Sequence, residues 1–221
     1  KGTEQRPDPA MISEEIEGVG GIINAATGRE STNYWVKVPA MHFERAFNVL
    51  SDIVRNSIFD EDELEKERFV IIEEIRGVND TPDDLVHDLV DEVVWNNQPV
   101  GRSILGSEET VEHATSAHMR AFIGRHYSPE RMVIAAAGKI DHEHVVELAE
   151  RWFGDVPRGQ GDYCEPAVVD QAAPRVRLVT RPTEQAHLCI GHPAISYVDP
   201  RRYTQAMIDA VLSSGMSSRL F

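Results

Sequence analysis

The chain of 221 residues carries 22 Lys and Arg against 37 Asp and Glu, a net charge of -15, which argues against nucleic acid or an anionic membrane surface as a partner. Its 41% hydrophobic and 27% charged residues are ordinary for a globular protein long enough to form one large domain or two small ones. Cys164 and Cys189 stand far apart and outside any CxxC spacing, so neither a disulfide framework nor a cysteine zinc site is expected, and no apolar run is long enough to span a membrane.

Taken in chain order, Pro9 stands in the first turn of a short helix whose Ile12, Ile16 and Val19 share one face, and Gly20 and Gly21 end it. Two strands follow, joined by a turn at Gly28-Arg29-Glu30. Phe43, Phe47, Leu50 and Ile53/Val54 then repeat at helical spacing. Asp60 is positioned to cap the next helix, which opens with further acidic residues suited to a positive N-terminal end. Thr81 and Pro82 read as the cap and first position of another helix, and Ser107 with Glu109 and Thr110 marks the start of more helix. "RMVIAAAGKI" (131–140) reads as a buried strand and "DHEHVVELAERWFGD" (141–155) as an amphipathic helix. From about Gly159 to Arg175 the chain is rich in Gly, Pro, Asp and Gln without periodicity, a linker. Strands "RVRLVTRP" (175–182) and "AHLCIGHPA" (186–194) and a helix opening with Pro200 are expected beyond it. Hairpins mixed with runs of helices indicate an α+β fold.

Most familiar chemistries find no support in the pattern. "GVGG" (18–21) lacks the Lys and preceding strand of a phosphate loop, and no GxSxG elbow exists. "SSGMSS" (213–218) sits at a helix end and gives no nucleophile. His142 and His144 are two apart and diverge on a helix, while His113 and His118 are five apart, a poor helical pair. His87 and His126 read as packing or surface residues, and neither HExxH nor HxxEH occurs, so the residues alone supply no complete metal site.

Two glutamates stand out. Along "LEKERFVIIEEIRGV" (64–78) Leu64, Ile71, Ile72, Ile75 and Val78 make an apolar stripe, with Glu65, Lys66, Glu73 and Arg76 opposite. Glu67 and Glu74 fall on the stripe's edge, one above the other. Carboxylates beside buried surface need a partner. An ordinary amphipathic helix, whose edge glutamates reach water or pair with arginine, accounts for them as well.

"KGT" (1–3), "EEIEGVGGIINAATGRESTNYWVKVP" (14–39), "FDEDELEKERFVIIEEIRGVNDTPDDLVHDLV" (59–90), "GRSILGSEETV" (101–111), "HYSPERMVIAAAGKID" (126–141) and "GMSSRLF" (215–221) occur in order over essentially the whole chain. Together they resemble the pitrilysin family of zinc metallopeptidases, which includes insulysin, the mitochondrial processing peptidase subunits and bacterial processing proteases. The family's inverted HxxEH motif supplies two zinc-binding histidines and a Glu that activates water. In relatives "KGT" follows that motif by a few residues, so the chain is expected to be a fragment starting just after it. The resemblance places the third zinc ligand at Glu74 and a supporting catalytic Glu at Glu67, and implies zinc as the cofactor of the complete protein. It also matches "IINAAT" to the edge strand beside the zinc, where a substrate peptide adds as a further strand, at Asn24, Ala25, Ala26 and Thr27; without the resemblance, this is a strand near a tight turn.

The implied fold is a pitrilysin-type α+β domain, a mixed sheet with helices packed on it, over 1–160, lacking its first strand and HxxEH helix. A linker and the beginning of a second related domain occupy 161–221. The implied activity is zinc-dependent endopeptidase, acting on peptides or small unfolded polypeptides, with this fragment inactive alone. A second half, from a homo- or heterodimeric partner, is expected to close over the site. A non-catalytic partner subunit of the same family is the competing reading, and retention of both Glu67 and Glu74 favours the enzyme. The cytoplasm is the expected location, with a targeting segment upstream of Lys1 left open.

Overall fold

A computed structural model describes residues 2–96, 98–159 and 165–221. Cys164, Lys1 of the "KGT" block and the expected domain boundary at 160/161 lie outside the described residues. The chain divides into two compact units, one of residues 1–85 and 102–166, the other of 86–101 and 167–221.

In the first unit, α1 (Pro9–Glu17) begins where the Asp8 side chain accepts from the Ala10 N–H. It ends at Gly18, and Gly20 then takes φ 76°, the left-handed region that glycine enters at no steric cost. A Cβ on Gly21 would lie 2.6 Å from Val38 Cγ1 and 2.7 Å from the Ile16 carbonyl oxygen, so only glycine lets the next strand leave this close to the helix. Strands β1 (Ile22–Thr27) and β2 (Thr32–Lys37) form an antiparallel hairpin, with Ile22 opposite Lys37 and Thr27 opposite Thr32. Helix α2 (Phe43–Asn56) completes the layer. Ile16, Ala46 and Val49 form the buried centre, and Ile12, Ile23, Val36, Val38 and Ile53 pack around it. Burying a residue of Ile16's size completely contributes about 1.5–3 kcal/mol, so the hairpin is held by its Ile23–Val36 face on α1 and α2 rather than by its ladder alone.

The segment before α1 is tied to α2 by a polar knot. Arg6 donates to Asp52 Oδ2 at 2.7 Å, to both Glu15 oxygens at 2.9 Å and to Asn48 Oδ1 at 2.7 Å. Asp52 also accepts from the Thr3 hydroxyl at 2.5 Å and from Asn56 at 2.8 Å. Thr3, Arg6 and Asp52 are buried. Burial alone would raise the Asp52 carboxyl, but the hydrogen bonds from Thr3, Asn56 and Arg6 outweigh it and hold the group below the ordinary carboxylate range.

Helix α3 (Glu61–Asp80) starts as expected, with Asp60 Oδ1 accepting from the N–H groups of Asp62 and Glu63. Thr81 stands where expected, at the N-cap position of α4 (Pro82–Trp95), whose first bond its carbonyl accepts, but its hydroxyl donates back to the Gly77 carbonyl in the last turn of α3 instead of capping α4. A threonine between two helices serves whichever backbone group its rotamer reaches, and here an orphan carbonyl wins. The stretch expected to hold more helix makes two, α5 (Glu108–Glu112) and α6 (Ser116–His126). Ser107 and Thr110 form a capping box on α5, and Thr115 caps α6. Helix α7 (His142–Phe153), capped by Asp141, buries Leu148 and packs on α2.

Among the described residues the hairpin is the entire sheet. The expected strand at 131–140 is a correction: it has no ladder, and Val133 is 92% exposed. The expected strands at 175–182 and 186–194 are likewise irregular, with Val176, Leu178 and Leu188 exposed. A strand exists by lateral hydrogen bonding, and no described segment pairs with these three. Their apolar character marks them as strand sequences without a neighbour. The fold class is α+β, carried by helices and one hairpin.

In the second unit the chain after 166 is tied to the end of α4. Gln98 exchanges two hydrogen bonds with the backbone of Val168, at 2.8 and 2.7 Å. Arg175 donates to the carbonyls of Val93 and Val94, and Gly191 lies against Val90 and Val94. Cys189 carries a free, half-buried thiol, its sulfur 3.9 Å from His87 Nδ1. Helix α8 (Arg202–Leu212) begins two residues after Pro200, so the proline precedes the first turn instead of occupying it. No helix among the described residues is long and apolar enough to cross a membrane.

Candidate functional site

The sequence-selected residues lie on two elements of the first unit. Glu67 and Glu74 project from α3, seven residues apart, so they share one side of the helix about 10.5 Å apart along its axis. Their surroundings differ. Glu67 is half-buried and its Oε2 is shut off from solvent. Glu74 is exposed and makes no side-chain hydrogen bond or ion pair with a described residue. Two basic residues of the same helix are committed elsewhere, Lys66 to Glu63 at 2.5 Å and Arg76 to Glu73 and Glu108 at 2.8 and 3.0 Å. The arginine partner that an ordinary amphipathic helix would supply is therefore not given to Glu74.

The described residues contain no group of three or more His, Cys, Asp or Glu arranged to hold a metal ion. A catalytic zinc takes three protein ligands and an open position, so these residues do not by themselves fit zinc. Glu74, an exposed carboxylate held on a rigid helix, fits one ligand position of such a site and no more.

Asn24, Ala25, Ala26 and Thr27 are all exposed on β1, whose second edge carries no strand among the described residues. The phase of the ladder decides which backbone groups that edge offers. The Gly28 N–H donates to the Ser31 carbonyl at 2.7 Å across the turn, making Gly28 and Ser31 a hydrogen-bonded pair. Antiparallel pairs alternate, so Ala26–Asn33 and Asn24–Trp35 exchange hydrogen bonds, while Ala25–Tyr34 and Thr27–Thr32 do not. The N–H and C=O groups of Ala25 and Thr27 therefore face the open edge, and those of Asn24 and Ala26 are spent on β2. The Ala25 N–H agrees with this phase: it donates to its neighbour's Asn24 Oδ1 at 2.8 Å instead of to β2. The four expected residues thus divide into two that can pair with an added strand and two that hold the hairpin.

On β2, opposite Ala25, the Tyr34 hydroxyl lies 2.9 Å from that of Tyr127, with the rings edge to face at 6.5 Å. Burial, aided by the Tyr127 hydroxyl, pushes the Tyr34 phenol well above its ordinary range. Arg68, the residue next to Glu67, carries no role expected from the sequence. Its side chain is only 16% exposed, and it donates to the carbonyls that close α5. Its signal in the sequence is position: 100° round the helix from Glu67, it is a charge lying within the stripe of Leu64, Ile71, Ile72 and Ile75.

Comparison with known proteins bears on the family of the chain. The family model for Insulinase (Peptidase family M16) matches residues 1–108, and that for the Peptidase M16 inactive domain matches residues 113–221. A protein of Rickettsia bellii called an uncharacterized zinc protease is 37% identical over 222 residues, covering 100% of this chain and 53% of its own length. The mitochondrial-processing peptidase subunit beta of Saccharomyces cerevisiae is 34% identical over 231 residues, covering 99% of this chain and 49% of its own. The crystal structure of a peptidase M16 inactive domain from Pseudomonas fluorescens superimposes with a TM-score of 0.78 over 99% of this chain and 53% of that one, at 17% identity, a likeness of fold. The chain spans about half the length of the curated relatives it matches. Sequence blocks, both family models and relatives called zinc proteases agree: the chain belongs to peptidase family M16, the insulinase family of zinc proteases.

Proposed function

We propose that this chain is part of a zinc-dependent endopeptidase that cleaves peptides or small unfolded polypeptides. In this reading Glu74 is one zinc ligand, Glu67 supports it, and β1 receives the substrate. The observation that carries the proposal is the Glu67–Glu74 pair: two carboxylates on one side of α3, with no arginine given to Glu74. The remaining ligands come from elsewhere in the complete protein. When bound, zinc supplies Lewis-acid polarisation and a water of lowered pKa. This chain's residues supply binding and orientation. The outward N–H and C=O groups of Ala25 and Thr27 hold an extended peptide by its backbone, which gives affinity without demanding one side-chain sequence. Glu67, with one oxygen withdrawn from solvent, orients the site without forming it. A second half, from a dimeric partner or the same protein, encloses the substrate, and residues 1–160 act as the catalytic-type domain.

The test is made in the complete protein. Glu74→Gln is expected to remove most bound zinc and nearly all peptide cleavage. Glu67→Gln is expected to lower cleavage about 10–100-fold while lowering zinc content less. Zinc content and cleavage of an unstructured peptide are measured on both. Wild-type activity in Glu74→Gln would overturn the ligand assignment, and a wild-type protein without cleavage would favour a non-catalytic partner subunit.

A further inference from the structure

One segment grips α3 at three places. At its start, Phe59 takes φ 48°, the left-handed region that an aromatic residue enters only when its surroundings impose it. The Phe59 carbonyl accepts from the Ser116 hydroxyl and from Arg120 Nη2 at 3.4 Å, and the same nitrogen reaches the Ile58 carbonyl at 2.8 Å. In the second turn of α3, Arg68 Nη1 donates to the Glu112 carbonyl at 2.8 Å and to that of Val111 at 3.5 Å, and Nη2 to that of Ala114 at 2.9 Å. Arg68 Nε lies 3.2 Å from Glu65 Oε2. Further along, Arg76 pairs with Glu108. All the partners outside α3 and its entry turn fall between residues 108 and 120, in α5, α6 and the corner joining them.

The largely covered arginine matters because the buried apolar residues of α3 lie beyond it. These are Ile72 and Ile75, and Leu64 in the turn before Glu67 is only partly buried. The turn carrying Glu67 is seated by a hydrogen-bonded fork instead. Its two shorter bonds go to the carbonyls of Glu112 and Ala114, at and just past the end of α5, where backbone acceptors lack helical partners and an arginine from a neighbouring helix satisfies them. A lysine would keep the charge but present a single nitrogen, which cannot span carbonyls of three residues in one plane.

We propose that Arg68 is a positioning residue for the peptidase site: through its clamp on α5 it fixes the rotation of α3 and hence the aim of Glu67 and Glu74. This rests on the zinc reading above. Misplacing a group by about 1 Å can cost about 100-fold in rate, so a change in helix rotation should be read in turnover before it is read in folding.

The experiment uses the complete zinc-loaded protein and one unstructured peptide. Arg68→Lys is expected to lower kcat about 10-fold with KM within about twofold, and to release zinc to a chelator several times faster, with the circular dichroism spectrum unchanged. Ser116→Ala, which removes the hydroxyl donor to the Phe59 carbonyl, is expected to move kcat and zinc release in the same direction by a smaller factor, and it carries the test should Arg68→Lys fail to fold. Leu148→Val, in the core of α7, is the control for lost stability and should leave kcat and zinc release unchanged. The clamp is overturned if the folded Arg68 and Ser116 variants turn over and release zinc like the wild type, or if Leu148→Val lowers kcat equally at the same loss of Tm. Glu74→Gln, run alongside, separates the two ideas: zinc retained there overturns the zinc reading, while zinc lost there with silent Arg68 and Ser116 variants overturns the clamp alone.

Discussion

Asp52 and Glu74 are helix carboxylates in the same compact unit, and their surroundings are opposite. Asp52 is buried on α2 and accepts hydrogen bonds from Thr3, Arg6 and Asn56. Glu74 stands exposed on α3, with the nearby Arg76 turned to Glu73 and Glu108. A carboxylate whose lone pairs are all used inside the protein has none left for a ligand. A carboxylate held on a rigid element and left unoccupied is available for one. By this criterion Asp52 is structural and Glu74 is the carboxylate proposed for function, although both are acidic residues next to apolar helix stripes.

The largest expected effect tests the structural side. Replacing one partner of a buried ion pair leaves the other charge uncompensated, which typically costs about 3–5 kcal/mol. Arg6 keeps its bonds to Glu15 and Asn48, so Asp52→Ala should lose about 3 kcal/mol by urea unfolding of the metal-free complete protein. Glu74→Gln under the same conditions should stay within about 0.5 kcal/mol, as surface changes do. Similar losses for the two would erase the distinction. The pH dependence follows the same line. The folded-state carboxyl of Asp52 sits below its unfolded value, so the stability it contributes is full above the unfolded pKa of about 3.9 and is lost as pH falls through the lower folded value. Wild type should therefore lose stability below about pH 4 more steeply than Asp52→Asn does.

The next effect contrasts two neighbours on β1. Proline removes an N–H donor, and a strand tolerates it only where that donor faces away from the ladder. Ala25 faces the open edge and Ala26 faces β2, from the phase set by the Gly28–Ser31 bond. In the complete protein Ala25→Pro should keep the fold and zinc content and lower peptide cleavage at least about 10-fold, about 1.4 kcal/mol. Ala26→Pro should break the hairpin itself, losing ellipticity and stability. Normal cleavage by a folded Ala25→Pro would show that substrate does not use this edge.

These contrasts also show what the sequence could carry. Two helix starts were legible because capping is local: Asp60 and Ser107 each accept from an N–H within three residues. The hairpin was legible from its turn, but the phase of its hydrogen bonds was not, because one bond across the turn sets it. The apolar runs at 131–140, 175–182 and 186–194 have the composition of strands, yet a strand depends on a lateral neighbour that its own sequence does not contain. Glu67 and Glu74 were visible as residues on the edge of a stripe. Arg68 was visible only as a charge inside that stripe, and its partners lie more than forty residues away, at Glu112 and Ala114.

The smallest effect tests how firmly the edge strand is held. Tyr34 lies across from Ala25, and its hydroxyl meets that of Tyr127, which follows α6. This bond ties the hairpin to the same 108–127 stretch that grips α3. Tyr127→Phe removes one hydroxyl and leaves the other half-buried, a loss of about 1 kcal/mol. The edge-to-face contact of the rings at 6.5 Å survives the change, so the fold should hold and the urea midpoint shift modestly. The titration of Tyr34 gives a second readout. Its folded-state phenol is raised, chiefly by burial and then by the Tyr127 hydroxyl. A raised pKa contributes stability below the unfolded value of about 10 that is lost as pH climbs through the folded one. With Tyr127→Phe the burial contribution remains and the hydrogen-bond contribution goes, so one tyrosine should ionise at lower pH by ultraviolet absorbance, and the alkaline loss of stability should become shallower. An unchanged titration together with an unchanged midpoint would mean that the two hydroxyls do not tie the edge strand to α6, and that the hairpin is placed by its Ile23–Val36 face alone.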